Sequence, residues 1–205
     1  MFGWPATTEM TNLAPIRAGT IFKYNESVAA YVDPVEPPWP PAATTKVKRV
    51  RSYSTNSKHN GCCMQADYPA FLKTSQISFP GPSGNINVFD ENEWEIGDSE
   101  WVMDVGTATS GSTPTKTPVT WRDIPSSRHS NGAVMGFADG HSELWKWVGL
   151  EISQYKVADQ TTMAGRSFPA GNWTPPVRGY ADPDLFKMAR AILDRPAADA
   201  AAGRQ

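Results

Sequence analysis

Residues 128–147 read RHSNGAVMGFADGHSELWKW, and the pairing of the two alternating segments around Asp139-Gly140 decides the fold. Asp-Gly is among the strongest hairpin signals, because both central positions of a type I′ turn need positive φ. A two-residue loop there sets Ala138 opposite His141, Phe137 opposite Ser142, Gly136 opposite Glu143, Met135 opposite Leu144 and Val134 opposite Trp145. This register predicts a core face of Ala133, Met135, Phe137 and Leu144. The other, half-exposed face then carries Val134, Gly136, His141, Glu143, Trp145 and Trp147, with Gly136 leaving a gap for a neighbouring aromatic ring.

The same strand tests the chemistry. Histidine and aspartate hold metals and move protons, so His129 and Asp139 invite a catalytic reading. Residues 133–138 separate them by a strand of roughly 20 Å. Zinc-type ligands sit at about 2 Å from their ion, so these two cannot share one. The expected roles are structural: His129 fixes a loop by hydrogen bonding, and Asp139 satisfies turn amides.

Outward from this hairpin, composition sets the class. The chain has 205 residues and a formal charge of −2, which gives no electrostatic footprint for nucleic acid. Eighteen prolines and sixteen glycines predict a loop-rich protein with short strands and few helices. The basic run KVKRVR, Lys46–Arg51, alternates with valine, so Lys46–Ser54 reads as a strand with a charged outer face. Asn85–Phe89 reads as a buried strand, Trp101–Val105 as another, and Pro69–Thr74 as a short helical turn. Residues 33–45 are proline-dense and read as an extended loop, as do 106–118. Cys62 and Cys63 are adjacent and read as free thiols, which leaves the redox compartment open.

Near the C-terminus, Asp182-Pro183-Asp184 offers an N-cap, a proline at the first helical position and an acid in the first turn. Leu185, Met188, Ala189, Ile192 and Leu193 then recur at helical spacing. A helix of about three turns is marginal alone, so its apolar stripe must bury. The fold class expected is α+β, a small mainly antiparallel sheet with long loops and this amphipathic helix. One domain over 1–195 and a disordered tail over 196–205 complete the expected organisation.

Other function classes leave weaker marks. No G-x-S-x-G, H-E-x-x-H, C-x-x-C or G-x-x-x-x-G-K occurs. Residues 90–100 (DENEWEIGDSE) hold six acids, a supply of hard oxygen ligands whose spacing does not match an EF-hand. Exposed tryptophans such as Trp94, Trp101, Trp145 and Trp147 could stack on sugar rings, although core aromatics are the commoner explanation. No signal peptide is recognisable, and no apolar run approaches the roughly 18–20 residues of a membrane helix.

The segment PSSRHSNGAVMGFADGHSELWKW resembles the C-terminal signature of the prepilin-type His-x9-Asp-Gly family of pseudopilin-like proteins. The signature residues are His129, Asp139, Gly140 and His141. IRAGTIFKY…AAYVDP, VRSYSTN, VFDENE, WRDIPSSRH and DPDLFKMARAIL are similar in the same order, over most of residues 14–195. The resemblance implies a pilin-like head related to the major pseudopilin of type II secretion. Such a head is a non-enzymatic subunit of a type II secretion or type IV pilus-like assembly, with other pilin subunits as partners. It would sit in the periplasm or at the outer face of a bacterial envelope and touch the membrane only through a long N-terminal helix. The resemblance also implies calcium, for which Asp90, Glu91 and Asp98 are the ligands expected. The chain departs from the pattern in lacking the peptidase site and the apolar helix, so it reads either as a truncated fragment or as a head that lost its assembly helix, and in having Asp33-Pro34 where relatives often have Cys-Pro. The opening MFGWPATTEM reads as the middle of something longer. A carbohydrate-binding or surface-adhesion module using Trp145 and Trp147 is the alternative, and a metal-dependent hydrolase stands third.

Overall fold

The computed structural model describes residues 10–38, 47–59, 70–78, 80–93, 96, 99–101, 103–104, 120–121, 123–149 and 183–192. The expectations for Cys62, Cys63, Asp98, the loop 106–118, Leu193 and the tail 196–205 lie outside these residues.

Strands β1 (Tyr53–Asn56), β2 (Ile86–Asp90), β3 (Glu100–Trp101), β4 (Met103–Asp104), β5 (Thr120–Trp121), β6 (Gly132–Phe137) and β7 (Ser142–Lys146) make two sheets. Five form one sheet in the order β3-β1-β2-β6-β7, and β4 pairs with β5. Among these strands every pairing is antiparallel except β1 with β3. Among the described residues the helices are short: α1 (Ala14–Ala18), α2 (Phe22–Asn25) and α3 (Pro183–Ile192), with 3-10 turns at Val28–Tyr31 and Thr74–Gln76. The architecture is therefore α+β with a small, mainly antiparallel sheet.

Helix α3 follows its sequence signals. It begins at Pro183, with Asp184 in the first turn and Arg190 in the last, the charges a helix dipole favours. Leu185, Met188, Ala189 and Ile192 are buried, as the stripe predicts. The helix lies on the face of β6 and β7 that carries Trp145, where Lys187 Nζ stands 3.7 Å from the indole ring centre. Asp184 accepts the backbone N–H groups of Val148 and Gly149, and Asn85 Nδ2 donates to the Ile192 carbonyl, so both ends are tied to the sheet. Full burial of a side chain the size of Leu185, Met188 or Ile192 contributes about 1.5–3 kcal/mol.

The hairpin differs from expectation by one residue. Gly132 pairs with Lys146, Ala133 with Trp145, Val134 with Leu144, Met135 with Glu143 and Gly136 with Ser142. The loop is three residues long, Ala138-Asp139-Gly140, closed by Gly140 N–H to the Phe137 carbonyl and Phe137 N–H to the His141 carbonyl. Gly140 has φ of 95° while Asp139 keeps a negative φ, the arrangement of a type I turn followed by a left-handed glycine. A one-residue slip exchanges the faces of a strand. Trp145 thus joins Ala133, Met135 and Phe137 in the core, and Leu144, 50% exposed, turns outward. Gly136 is filled by Val88 instead of an aromatic ring: a Cβ there would come within 2.8 Å of Val88 Cγ1.

Two further expectations are corrected. The strand expected over Lys46–Ser54 is displaced to Tyr53–Asn56, and Arg49 is buried against Glu36 instead of facing solvent. The alternation of KVKRVR fits a strand, but a buried carboxylate partner overrides it. Within 101–105, Met103–Asp104 belongs to a different sheet from Glu100–Trp101, so no single strand runs through.

Candidate functional site

Strand β2 ends with Phe89 in the core and Asp90 on the opposite side, by the alternation of a strand. Three side chains close over Asp90. Asp33 comes from the segment after the 3-10 turn, and Arg128 and His129 come from the turn leading into β6. That turn is fixed by backbone: Ser130 and Asn131 have φ of 53° and 60°, and His129 N–H donates to the Gly132 carbonyl. Asn131 Nδ2 donates to the Trp147 carbonyl at 2.9 Å, and Lys146 Nζ donates to the Ser130 carbonyl at 3.1 Å. Consecutive left-handed residues other than glycine are costly and persist only where their surroundings hold them.

Arg128 is the hub. Its Nη1 donates to Glu93 Oε2 at 2.9 Å and to the Glu91 carbonyl at 3.1 Å, its Nε lies 3.3 Å from Asp33 Oδ2, and its Nη2 meets Asp90 Oδ1. His129 Nε2 lies 2.9 Å from Asp33 Oδ2 and 3.6 Å from Asp90 Oδ2. A second buried pair adjoins it: Arg49 binds Glu36 and the Glu93 carbonyl, and Ser52 Oγ donates to Glu36. Asp33, Glu36, Arg49, Asp90, Glu91 and Glu93 are all buried, and Asp33, Glu36 and Arg49 also line a cavity of about 410 Å³ with Leu13, Val28 and Val32.

Burial of charge shows in the proton affinities. Desolvation pushes the Asp90 carboxyl up to about 8 despite Arg128, and the negative charge of Asp33 adds to the rise. Desolvation acts on Asp33 as well, but the Val35 N–H, Arg128 and His129 outweigh it and hold that carboxyl below its ordinary range. Arg128 is desolvated too, yet Asp90, Glu93, Glu36 and Asp33 more than compensate and raise it. Burial, aided by Asp33 and Asp90, pushes the Tyr53 phenol up to about 12. One oxygen stands apart: Asp90 Oδ2 is fully buried and has no hydrogen-bond partner. One donor atom each of Asp33, Asp90 and His129 lies within 4.8 Å of the other two.

The sequence candidates are thereby redistributed. His129 and Asp139 lie at opposite ends of β6, as expected: His129 binds Asp33, whereas Asp139 Oδ1 accepts His141 N–H at 3.1 Å and meets His141 Nδ1 at 2.5 Å. His141 stacks on Phe137 with ring centres 4.3 Å apart. Of the expected calcium set, Asp98 lies outside the described residues and the other two members do not converge. Asp90 turns to Arg128 and Asp33, while Glu91, the next residue, takes the Ser54 hydroxyl, because adjacent residues in extended chain point apart. Trp145 and Trp147 form no ligand face, being 7% and 4% exposed. Trp145 Nε1 donates to Glu143 Oε2 and Trp147 Nε1 donates to the Ser126 carbonyl.

Sequence reasoning gave Arg128 no role and Asp33 only a place where relatives differ. Their partnership spans 95 residues, and no local pattern marks it. Among the described residues no helix is long and apolar enough to cross a membrane. No protein-family model, curated protein or solved structure matches the chain.

Proposed function

We propose that the chain is the head of a pilin-like structural subunit, non-enzymatic, in a pseudopilus or type IV pilus-like assembly of a bacterial envelope. Its partners are other pilin subunits, and its membrane contact runs through an apolar helix preceding Met1 in the full-length protein. The observation that carries the reading is the use made of the signature residues. His129 is joined to Asp33, and Asp139 and Gly140 build the hairpin turn against His141. These side chains fasten the head internally, tying the segment around residue 33 to the sheet, as a subunit bearing load along its N-terminal helix requires. The small antiparallel sheet with α3 across one face is compatible with such a head. The carbohydrate-binding alternative rested on Trp145 and Trp147, and both of these indoles are buried.

The test is the genomic reading frame upstream of Met1, followed by expression of the extended protein with a prepilin peptidase. A cleavage site of the Gly-Phe-Thr-Leu-x-Glu kind, about 20 apolar residues after it and peptidase-dependent shortening on a gel are expected. An upstream frame without such a segment, or a protein the peptidase leaves intact, overturns the reading.

A further inference from the structure

We propose that Asp33, Asp90 and His129 form a mononuclear site for a divalent transition cation of the zinc type. The donors are Asp33 Oδ2, Asp90 Oδ2 and His129 Nε2, drawn from three separate segments of chain. His129 Nε2 stands 2.9 Å from Asp33 Oδ2 and 3.6 Å from Asp90 Oδ2. A tetrahedral ion with bonds of about 2 Å places its ligand atoms about 3.3 Å apart, so these spacings bracket the required edge.

The orphaned oxygen supplies an independent indication. Asp90 is 0% exposed, and its Oδ2, aimed at His129 and Asp33, has no hydrogen-bond partner. Buried polar atoms are satisfied in the great majority of cases, and an exception calls for an unseen partner. The other oxygens are already engaged in the way metal ligands need. Asp33 Oδ1 accepts the Val35 N–H at 3.0 Å, and Asp90 Oδ1 is held by Arg128. Such outer contacts orient carboxylate ligands; they leave Asp90 Oδ2 open, while an ion at Asp33 Oδ2 would replace the 3.3 Å approach of Arg128 Nε.

The imidazole selects the ion. Calcium and magnesium take oxygen shells, whereas a set of one nitrogen and two oxygens suits zinc, cobalt or manganese. Three protein ligands leave a fourth position for water. His129 keeps 28% of its side chain exposed, so the site has access to solvent. Binding here is independent of whether the chain assembles into a pilus.

The test starts from chelator-stripped protein titrated with Zn²⁺, Co²⁺ and Ca²⁺, with thermal unfolding and calorimetry as readouts. One equivalent of Zn²⁺ or Co²⁺ is expected to bind and raise the melting temperature, with Ca²⁺ at equal concentration giving no shift. Asp90→Asn and His129→Gln are each expected to weaken Zn²⁺ more than about tenfold, beyond the lower end of what outer-shell changes cost. His141→Ala, at the far end of the hairpin, leaves binding unchanged. If the site variants unfold, the wild-type Co²⁺ complex decides: X-ray absorption should show an oxygen and nitrogen shell with one imidazole. No binding, calcium preference, affinity unchanged in both site variants, or a sulfur shell from Cys62 and Cys63 would each overturn the proposal.

Discussion

His129 Nε2 rests 2.9 Å from Asp33 Oδ2, across a sequence separation of 96 residues. That contact joins the turn before β6 to the segment that follows the N-terminal helices. Arg128 bridges the same carboxylate to Asp90 and Glu93, so one guanidinium and one imidazole hold three separate parts of the chain together.

Removing Arg128 should therefore be severe. Arg128→Met strips the buried Asp33, Asp90 and Glu93 of their shared guanidinium, and breaking a buried pair from one side costs about 3–5 kcal/mol. Arg128→Lys restores the charge without the planar fork that reaches three carboxylates, so it recovers only part of the loss. Urea unfolding of the three proteins measures the order. A midpoint unchanged in Arg128→Met would mean that the cluster is not closed in solution.

The hairpin register gives a paired prediction. Trp145 lies in the core opposite Ala133, while Leu144 is half exposed opposite Val134. Trp145→Ala should cost about 3–5 kcal/mol, as large-to-small changes of buried aromatics do. Leu144→Ala should stay within about 1 kcal/mol, near the range of surface changes. The reverse order in chemical denaturation would restore the two-residue loop and its register.

That pair also marks what the sequence could and could not reveal. Asp139-Gly140 located the hairpin, and the spacing of Leu185, Met188, Ala189 and Ile192 located α3. Loop length was not legible, because aspartate is as content at the negative φ of a type I turn as at the positive φ of type I′. Only Gly140 needed the left-handed region. The ionic cluster was hidden for a different reason: Asp90 was visible as an acid, but its partners are far away in sequence. Its neighbour Glu91 looked like a co-ligand until the extended chain turned the two side chains apart.

Two glycines in β6 should differ in tolerance. A Cβ on Gly132 would come within 2.3 Å of the Trp145 carbonyl oxygen, which is backbone and cannot rotate away. A Cβ on Gly136 meets a methyl of Val88 at 2.8 Å, and that side chain can shift. Gly132→Ala should exceed the cost of Gly136→Ala, which falls in the range of about 1–3 kcal/mol for overpacking. Thermal unfolding of the two variants compares them directly, and equal melting temperatures would argue against the close approach at Gly132.

The end of the hairpin should respond to pH from both sides. His141 is raised above its ordinary value by its hydrogen bond to Asp139, and Asp139 is lowered by the same bond and by the His141 N–H. A raised histidine contributes stability that is fully present below its unfolded value and is lost as pH climbs through the folded one. A lowered aspartate contributes stability present above its unfolded value and lost as pH falls through the folded one. The closed pair is thus favoured between the lowered Asp139 value and the raised His141 value. Above that window the imidazole loses its proton, and the Phe137–Gly140 turn should open more often. Amide exchange at Phe137, corrected for the intrinsic rate, should show protection falling as pH rises through the His141 titration followed by NMR. In His141→Asn that alkaline step should vanish while the acid-side loss at Asp139 shifts toward an ordinary carboxyl. Persistence of the step in the variant would assign it to another group.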